Sequence, residues 1–169
     1  MFRTAAGKMI EMDQIVKELK SFYDKNKAYG TPFQVIVGSD SQNFSETHLA
    51  TVICILCEGH GGRYFYSLKA TERKLTTVRQ KLHAETNESL MVADSLLMEL
   101  EKAENTELKK NCPIAIHIDA GNSEKGKTKP LIPEIVGWVK ACGYASCWTK
   151  PYSVVASTLA DKMARKHIA

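Results

Sequence analysis

The segment with the clearest structural signal is residues 34–42, QVIVGSDSQ. It begins with the β-branched run Val35-Ile36-Val37, which is typical of a strand buried on both faces of a sheet. Gly38 is small, so another part of the molecule can approach the backbone closely there. Asp40 then lies at or just beyond the end of the predicted strand. Its carboxylate needs water, a base or a metal ion, because an unpaired buried charge is strongly unfavourable.

The overall composition is that of an ordinary globular protein. The chain has 169 residues, of which 44% are hydrophobic and 25% are charged, and this predicts one domain over residues 1–169. The formal net charge of +4 is mildly basic. Such a charge permits nucleic acid as a partner without requiring it.

Neither the N-terminus nor the apolar runs indicate a membrane or secreted protein. Residues 1–8 contain no signal-peptide core, and the longest apolar run, Leu49 to Cys57, is far shorter than the ~20 residues of a membrane helix. The five cysteines are odd in number and have no framework spacing, which indicates reduced thiols that fill the core. We therefore expect a cytoplasmic protein without a membrane partner.

Hydrophobic periodicity predicts an alternation of helices and strands. The predicted helices cover residues 8–25, 76–105, 130–142 and 153–167, with Ser153 as the N-cap of the last; the predicted strands cover 34–40, 48–58, 63–70, 113–120 and 144–148; residues 104–111 are predicted to be a charged surface connection. Three strands joined by short turns form an antiparallel meander, and the later β-α-β-α order adds two parallel strands. The prediction is an α/β fold with a mixed five-stranded sheet flanked by helices, plus an extra N-terminal helix.

Carboxylates occur at inward or edge positions of four separate elements. Asp40 and Asp119 end the first and fourth predicted strands, and their side chains meet at one sheet edge if those strands are neighbours. Glu85 lies on the apolar face of the long helix, whereas helical phase directs Glu88 towards solvent. Asp161 borders the inner face of the last helix. We refer to Asp40, Glu85, Asp119 and Asp161 as the acidic cluster.

Each of these acids also has a purely structural interpretation. Asp40 and Asp119 can be strand-end caps, Glu85 can be favoured by the helix dipole, and Asp161 can pair with Arg165 four residues later. Together, however, four carboxylates at one place repel one another, and a divalent cation removes that repulsion. All-carboxylate sites favour Mg²⁺ or Mn²⁺, and two such ions are the usual machinery for phosphodiester hydrolysis.

Polar and aromatic residues near these acids are candidates for substrate binding. Lys150, close to the start of the last helix, is predicted to hold a phosphate. The other predicted substrate contacts are the polar neighbours of the acids, Ser41, Gln42 and Asn122. His117 can either assist at the site or serve as a structural histidine beneath it. Trp148 and Tyr152 can stack on a base, although packing is the default for Trp148.

Several segments resemble a known family. The carrying segments are residues 37–42 (VGSDSQ), 117–119 (HID), 134–137 (EIVG) with Gly143, and 150–161 from Lys-Pro to Ala-Asp. They resemble the ribonuclease H-like superfamily and, within it, the YkuK-like group of predicted bacterial nucleases. The resemblance spans nearly the whole chain. It implies a ribonuclease H-like fold and makes the acidic cluster the catalytic residues and the metal ligands.

The sequence therefore predicts a nuclease that depends on Mg²⁺ or Mn²⁺ and cleaves DNA or RNA by a two-metal mechanism at the acidic cluster. The alternative is a non-catalytic module with the same fold that binds nucleic acid or protein, because a fold does not determine a function.

Overall fold

The computed structural model describes residues 1–43, 45–121 and 126–166 and has a mixed α/β architecture. The strands are β1 (Phe2–Thr4), β2 (Met9–Ile10), β3 (Phe33–Asn43), β4 (Thr47–Cys57), β5 (Gly61–Ala70), β6 (Ile114–Ile118) and β7 (Ser146–Trp148). The helices are α1 (Met12–Asn26), α2 (Val78–Lys102), α3 (Thr106–Asn111), α4 (Ile132–Ala141) and α5 (Asp161–Lys166), with a π-helical segment at Val155–Ala160 and 3₁₀ turns at Lys27–Tyr29 and Lys129–Leu131.

One mixed sheet organises these elements, in the order β2-β1-β5-β4-β3-β6-β7. The pairs β3–β4 and β4–β5 are antiparallel, whereas β3–β6 and β6–β7 are parallel. The predicted meander with two parallel strands is confirmed. The adjacency of the first and fourth predicted strands, here β3 and β6, is confirmed as well.

The sheet has seven strands rather than the predicted five. The predicted first helix was wrong in its first turn, because Phe2–Thr4 and Met9–Ile10 pair with each other and β1 pairs with β5. Phe2 and Ile10 lie opposite each other in register, and both are buried. Helix α1 begins only after Glu11, whose backbone N–H donates to Gln14 in a capping box.

Strand β3 is buried on both faces, as its β-branched run predicted. Val35 and Val37 belong to the larger core, which also contains residues of α1, α2 and α4. Ile36 points to the other face, into a second core with Val155 and Met163 of the C-terminal helical region. Among the described residues, no helix combines the length and apolar character that crossing a bilayer requires.

The prediction that Asp40 ends its strand was wrong. Strand β3 continues to Asn43, and Asp40 pairs in register with Ala50 of β4. The ladder extends through the polar residues because the partner strand is equally long and Thr47 donates a side-chain hydrogen bond to Asn43 at 2.6 Å. Asp40 is therefore held inside the sheet and is not a turn residue.

Two other boundaries differ from the predicted ones. The predicted connection at residues 104–111 contains helix α3, which is anchored by the fully buried Leu108. Ser153 directly precedes the last helical region, and its carbonyl accepts from the Ser157 N–H at 3.0 Å, but its buried hydroxyl has no partner among the described residues and so provides no side-chain cap. The first turn is held instead by the Val155 N–H, which donates to Nδ1 of His117 at 3.3 Å.

Gly38 fulfils the expectation of a close backbone approach. A Cβ added at Gly38 would lie 3.1 Å from the backbone nitrogen and from the Cβ of Ala156. The π-helical segment therefore packs directly on the backbone of β3. This contact places Asp161, which follows the segment, above the polar end of that strand.

Candidate functional site

Asp40 and Asp119 lie side by side on neighbouring parallel strands. The last registered pair of β3 and β6 is Ser39 with Ile118, and the two aspartates are the next residues on each chain. The pKa of Asp40 is raised to about 7, first by burial and then by the negative charge of Asp119. The two carboxylates are therefore close enough to oppose each other's ionisation.

Asp161 approaches the same face from the C-terminal helix. The Gln42 side-chain amide donates to Asp161 Oδ1 at 3.0 Å and to Asp40 Oδ2 at 3.4 Å, so one side chain bridges both acids. Asp161 also accepts from Nε of Arg165 at 2.7 Å, which is the structural pairing that the spacing allowed. Residues two apart on a strand share a face, so Gln42 and Asp40 both point towards this helix.

Glu85 reaches the strand from the opposite layer. It is only 8% exposed, and it accepts a 2.5 Å hydrogen bond from the hydroxyl of Ser41. Ser41 follows Asp40 directly and points to the other face of β3. Burial raises the pKa of Glu85 to about 8, and the charges of Asp40 and Asp119 act in the same direction.

A buried chain of hydrogen-bonded hydroxyl groups, from Thr51, Ser39 and Ser89, was not predicted from the sequence. The hydroxyls of Ser39 and Thr51 are 2.8 Å apart, and those of Ser39 and Ser89 are also 2.8 Å apart. Ser89 lies one helical turn after Glu85 on α2. These small side chains let the helix approach the sheet and satisfy one another there. The sequence did contain a sign of these hydrogen bonds, because Ser39, Thr51 and Ser89 are small hydroxyl residues at inward positions of otherwise apolar elements.

Glu88 does not point freely to solvent, contrary to the phase argument. Its side chain is 15% exposed and forms a 3.1 Å ion pair with Lys69 of β5. The long lysine side chain of β5 reaches Glu88 on α2, at a position that helical geometry alone assigns to the surface. Glu88 nevertheless stays outside the acidic cluster, so Glu85 and Glu88 keep different environments.

Lys150 acts as the internal counter-ion of Asp119. Its Nζ lies 2.6 Å from Asp119 Oδ1. That oxygen is buried and has no partner in hydrogen-bonding geometry among the described residues, so the contact is an ion pair rather than a well-formed hydrogen bond. The backbone N–H of Lys150 donates to the carbonyl of Ala120, which fixes the lysine beside the end of β6.

The acidic cluster thus draws on four elements that are distant in the chain. Residues 14–165 match the family described as "Ribonuclease H-like". The chain belongs to the ribonuclease H-like family. Comparison with curated proteins and with solved structures finds no match. The match begins after the β1–β2 hairpin, so that hairpin is an addition to the part that the family defines.

Proteins of the ribonuclease H-like family generally bind nucleic acid and commonly use divalent metals. In this member, no group of three or more His, Cys, Asp or Glu within the described residues has the geometry of a metal site. The chemistry of the donors does fit Mg²⁺ or Mn²⁺, because all four are carboxylates, the oxygen ligands that these ions prefer. Lys150 and Arg165 meanwhile neutralise two of the acids.

His117 has a structural role in this ribonuclease H-like protein. Burial lowers its pKa to about 4, and its Nδ1 accepts the hydrogen bond from Val155. A neutral ring that accepts at Nδ1 carries its proton on Nε2. Of the two interpretations that the sequence left open, the structural one agrees with these contacts.

The predicted substrate contacts differ in accessibility. Ser41 is buried and engaged with Glu85, so it positions that carboxyl. Gln42 and Lys150 are partly exposed beside the acids. Asn122 lies outside the described residues.

Proposed function

We propose that this protein is a divalent-metal-dependent nuclease of the YkuK-like group, acting as a single domain on DNA or RNA. The observation that carries the proposal is the pair Asp40 and Asp119, which stand side by side on β3 and β6 while Glu85 and Asp161 approach from the two flanking layers. Buried acids that raise one another's pKa are typical of catalytic sites.

Asp40 and Asp119 would hold the metal, and Glu85 and Asp161 would complete the donor set. Two divalent cations bound there supply Lewis-acid stabilisation of the charge that develops on the phosphate and activation of the attacking water. The pKa of Asp40 is raised to about 7 and that of Glu85 to about 8, so both carboxyls would have to give up a proton to serve as ligands at neutral pH.

The remaining side chains would position the acids and the substrate. Gln42 keeps Asp161 and Asp40 together, and Ser41 orients Glu85. Lys150, whose Nζ contacts Asp119, would lie within reach of a substrate phosphate at the same site. The raised pKa of Asp40 agrees with a site that gains stability when positive charge enters it.

Cleavage assays test this function directly. Purified protein is incubated with single-stranded, duplex and RNA–DNA hybrid substrates in Mn²⁺, in Mg²⁺ and in chelator. We expect cleavage only with metal, and we expect Asp40→Asn to abolish it. The matched control is Asp13→Asn, which removes an exposed aspartate paired with Lys17 on α1 and should leave cleavage unchanged.

A second function, a non-catalytic binding module, is favoured by one observation. The described carboxylates have no metal-binding geometry, and Lys150 and Arg165 already pair with two of them. Such a module would bind nucleic acid equally well in metal and in chelator and would cleave none of the substrates. That outcome would replace the nuclease proposal.

A further inference from the structure

A mostly apolar pocket of about 380 Å³ lies on the same face of the sheet as Asp40. Gln34 and Ile36 of β3 form part of its lining, and Val155 forms part of the wall opposite. These two β3 residues share a face with Asp40 because they precede it by even numbers of positions. Pockets of roughly 300–1,000 Å³ are of the size that holds small organic groups.

Two exposed aromatic rings border this pocket, which we call the aromatic pocket. Trp148 and Tyr152 line it and are 44% and 69% exposed. Their ring centroids are 6.3 Å apart with an interplanar angle of 66°, so the rings do not stack on each other. Large aromatic groups that stay exposed beside a pocket indicate a binding surface. Packing in the core, the default interpretation for Trp148, does not describe this arrangement.

Two polar side chains also line the aromatic pocket. His117 lines it and carries its proton on Nε2, because Nδ1 accepts from Val155. Gln34 adds a side-chain amide, which can both donate and accept. Apolar walls with a few polar groups among them complement a nucleobase, which has apolar faces and a polar rim.

The contact between Ala156 and Gly38 lies between the aromatic pocket and the acidic cluster. The packing of Ala156 on Gly38 separates Ile36, at the pocket, from Asp40. The connection between β7 and the last helix carries Lys150 between Trp148 and Tyr152 in the chain, and its Nζ reaches Asp119. A nucleic-acid strand that joins the two sites therefore passes a cation suited to phosphate.

We propose that the aromatic pocket binds one unpaired base of a single-stranded nucleic acid, with Trp148 and Tyr152 stacking on it and Lys150 contacting the adjoining phosphate. The inference rests on the proposed function, because it takes nucleic acid as the substrate. A paired base is hidden in the duplex stack, so the pocket selects single strands. An apolar peptide is the other occupant of such a groove, but the polar side chains Gln34 and His117 in the lining and the nearby cation Lys150 favour a base.

Binding measured in chelator separates this inference from catalysis. A fluorescein-labelled single strand of about ten nucleotides is titrated with protein in EDTA, and anisotropy is followed. Trp148→Ala and Tyr152→Ala should each weaken binding roughly tenfold, whereas Trp148→Phe should keep it within about threefold, because phenylalanine still stacks. The control is Tyr29→Ala, which removes an exposed tyrosine that does not line the pocket.

Tryptophan emission provides a second readout that leaves every residue of the aromatic pocket unchanged. The chain has two tryptophans, so Trp138→Phe leaves Trp148 as the reporter. Single-stranded oligonucleotide should quench its emission, and a duplex of the same length should do so far less. If quenching is absent, or if the alanine variants bind like the wild type, the pocket does not hold a base.

The two proposals fail in different ways. Metal-dependent cleavage together with unaltered binding by the Trp148 and Tyr152 variants overturns only the aromatic pocket. Base-dependent quenching with no cleavage in any metal overturns only the nuclease. An apolar peptide that quenches Trp148 where nucleic acid does not would replace the base as the occupant.

Discussion

Removing the Asp40 charge should stabilise the folded protein in the absence of metal. The side chain is 7% exposed and shares its surroundings with Asp119 and Asp161, so its ionisation is opposed by both burial and repulsion. Asp40→Asn keeps the shape of the side chain and can still accept a hydrogen bond from Gln42. A residue that only supplies local hydrogen bonds would behave differently, since its loss destabilises the fold by ~1 kcal/mol and gives no gain in stability as the pH rises.

The magnitude follows from the pKa of Asp40, which folding raises from 3.8 to about 7. For an acid whose pKa is raised, the protonated form stabilises the fold. That stability is fully present below about pH 4 and is lost as the pH rises through about 7. One pKa unit corresponds to about 1.4 kcal/mol, so the loss reaches at most about 4 kcal/mol above pH 7.

Urea unfolding of both proteins in chelator measures this difference. The Asn variant should be more stable than the wild type at pH 8, and the gap should widen by about 2–3 kcal/mol between pH 5 and pH 8. Asp13→Asn is the control, because a hydrogen bond from Lys17 lowers the pKa of Asp13. Its removal therefore gives no stability gain as the pH rises.

The effect of added metal on the melting temperature is the second test of the Asp40 charge. Millimolar Mn²⁺ should raise the melting temperature of the wild type by mass action, and that of the Asn variant much less. A wild-type protein indifferent to metal, combined with an Asn variant that is less stable at pH 8, would refute both the repulsion and the metal site.

Two further substitutions test the geometry around the site. Glu85→Gln should lower metal-dependent cleavage at least about a hundredfold and Glu88→Gln less than about threefold, since only Glu85 approaches Asp40; initial rates in Mn²⁺ decide, and equal losses would contradict the assignment. Gly38→Ala should destabilise by roughly 1–3 kcal/mol in urea unfolding because its Cβ would meet Ala156 at 3.1 Å, whereas Gly121→Ala, whose nearest neighbour is 3.8 Å away, should be nearly neutral.

Local patterns predicted the main elements correctly because they follow the geometry of single strands and helices. The apolar run from Val35 to Val37 had to be buried on both sides, and the structure gives it a core on each face. The 3.6-residue period placed Glu85 inward on α2, where it is buried. The short turns between the first three long strands predicted the meander, which the antiparallel registers confirm.

Local patterns could not reveal contacts that depend on chain segments far apart. The β1–β2 hairpin exists because Arg3 of β1 pairs with Tyr66 of β5, some sixty positions away. The apolar spacing before Met12 suits either a helix or such a hairpin, and only the neighbouring strand decides between them. The length of β3 beyond Asp40 depends in the same way on its partner strand.

The sequence alone thus determined that β3 is buried on both faces and that Glu85 of α2 points inward, since each follows from a repeat within one element. Tertiary structure alone decided how the four acids meet. It set Asp40 beside Asp119 through the β3–β6 register, joined Asp161 to Asp40 through Gln42, and paired Asp119 with Lys150. The physical reason is that side-chain charges interact through space, and their separations are set by register and packing between elements.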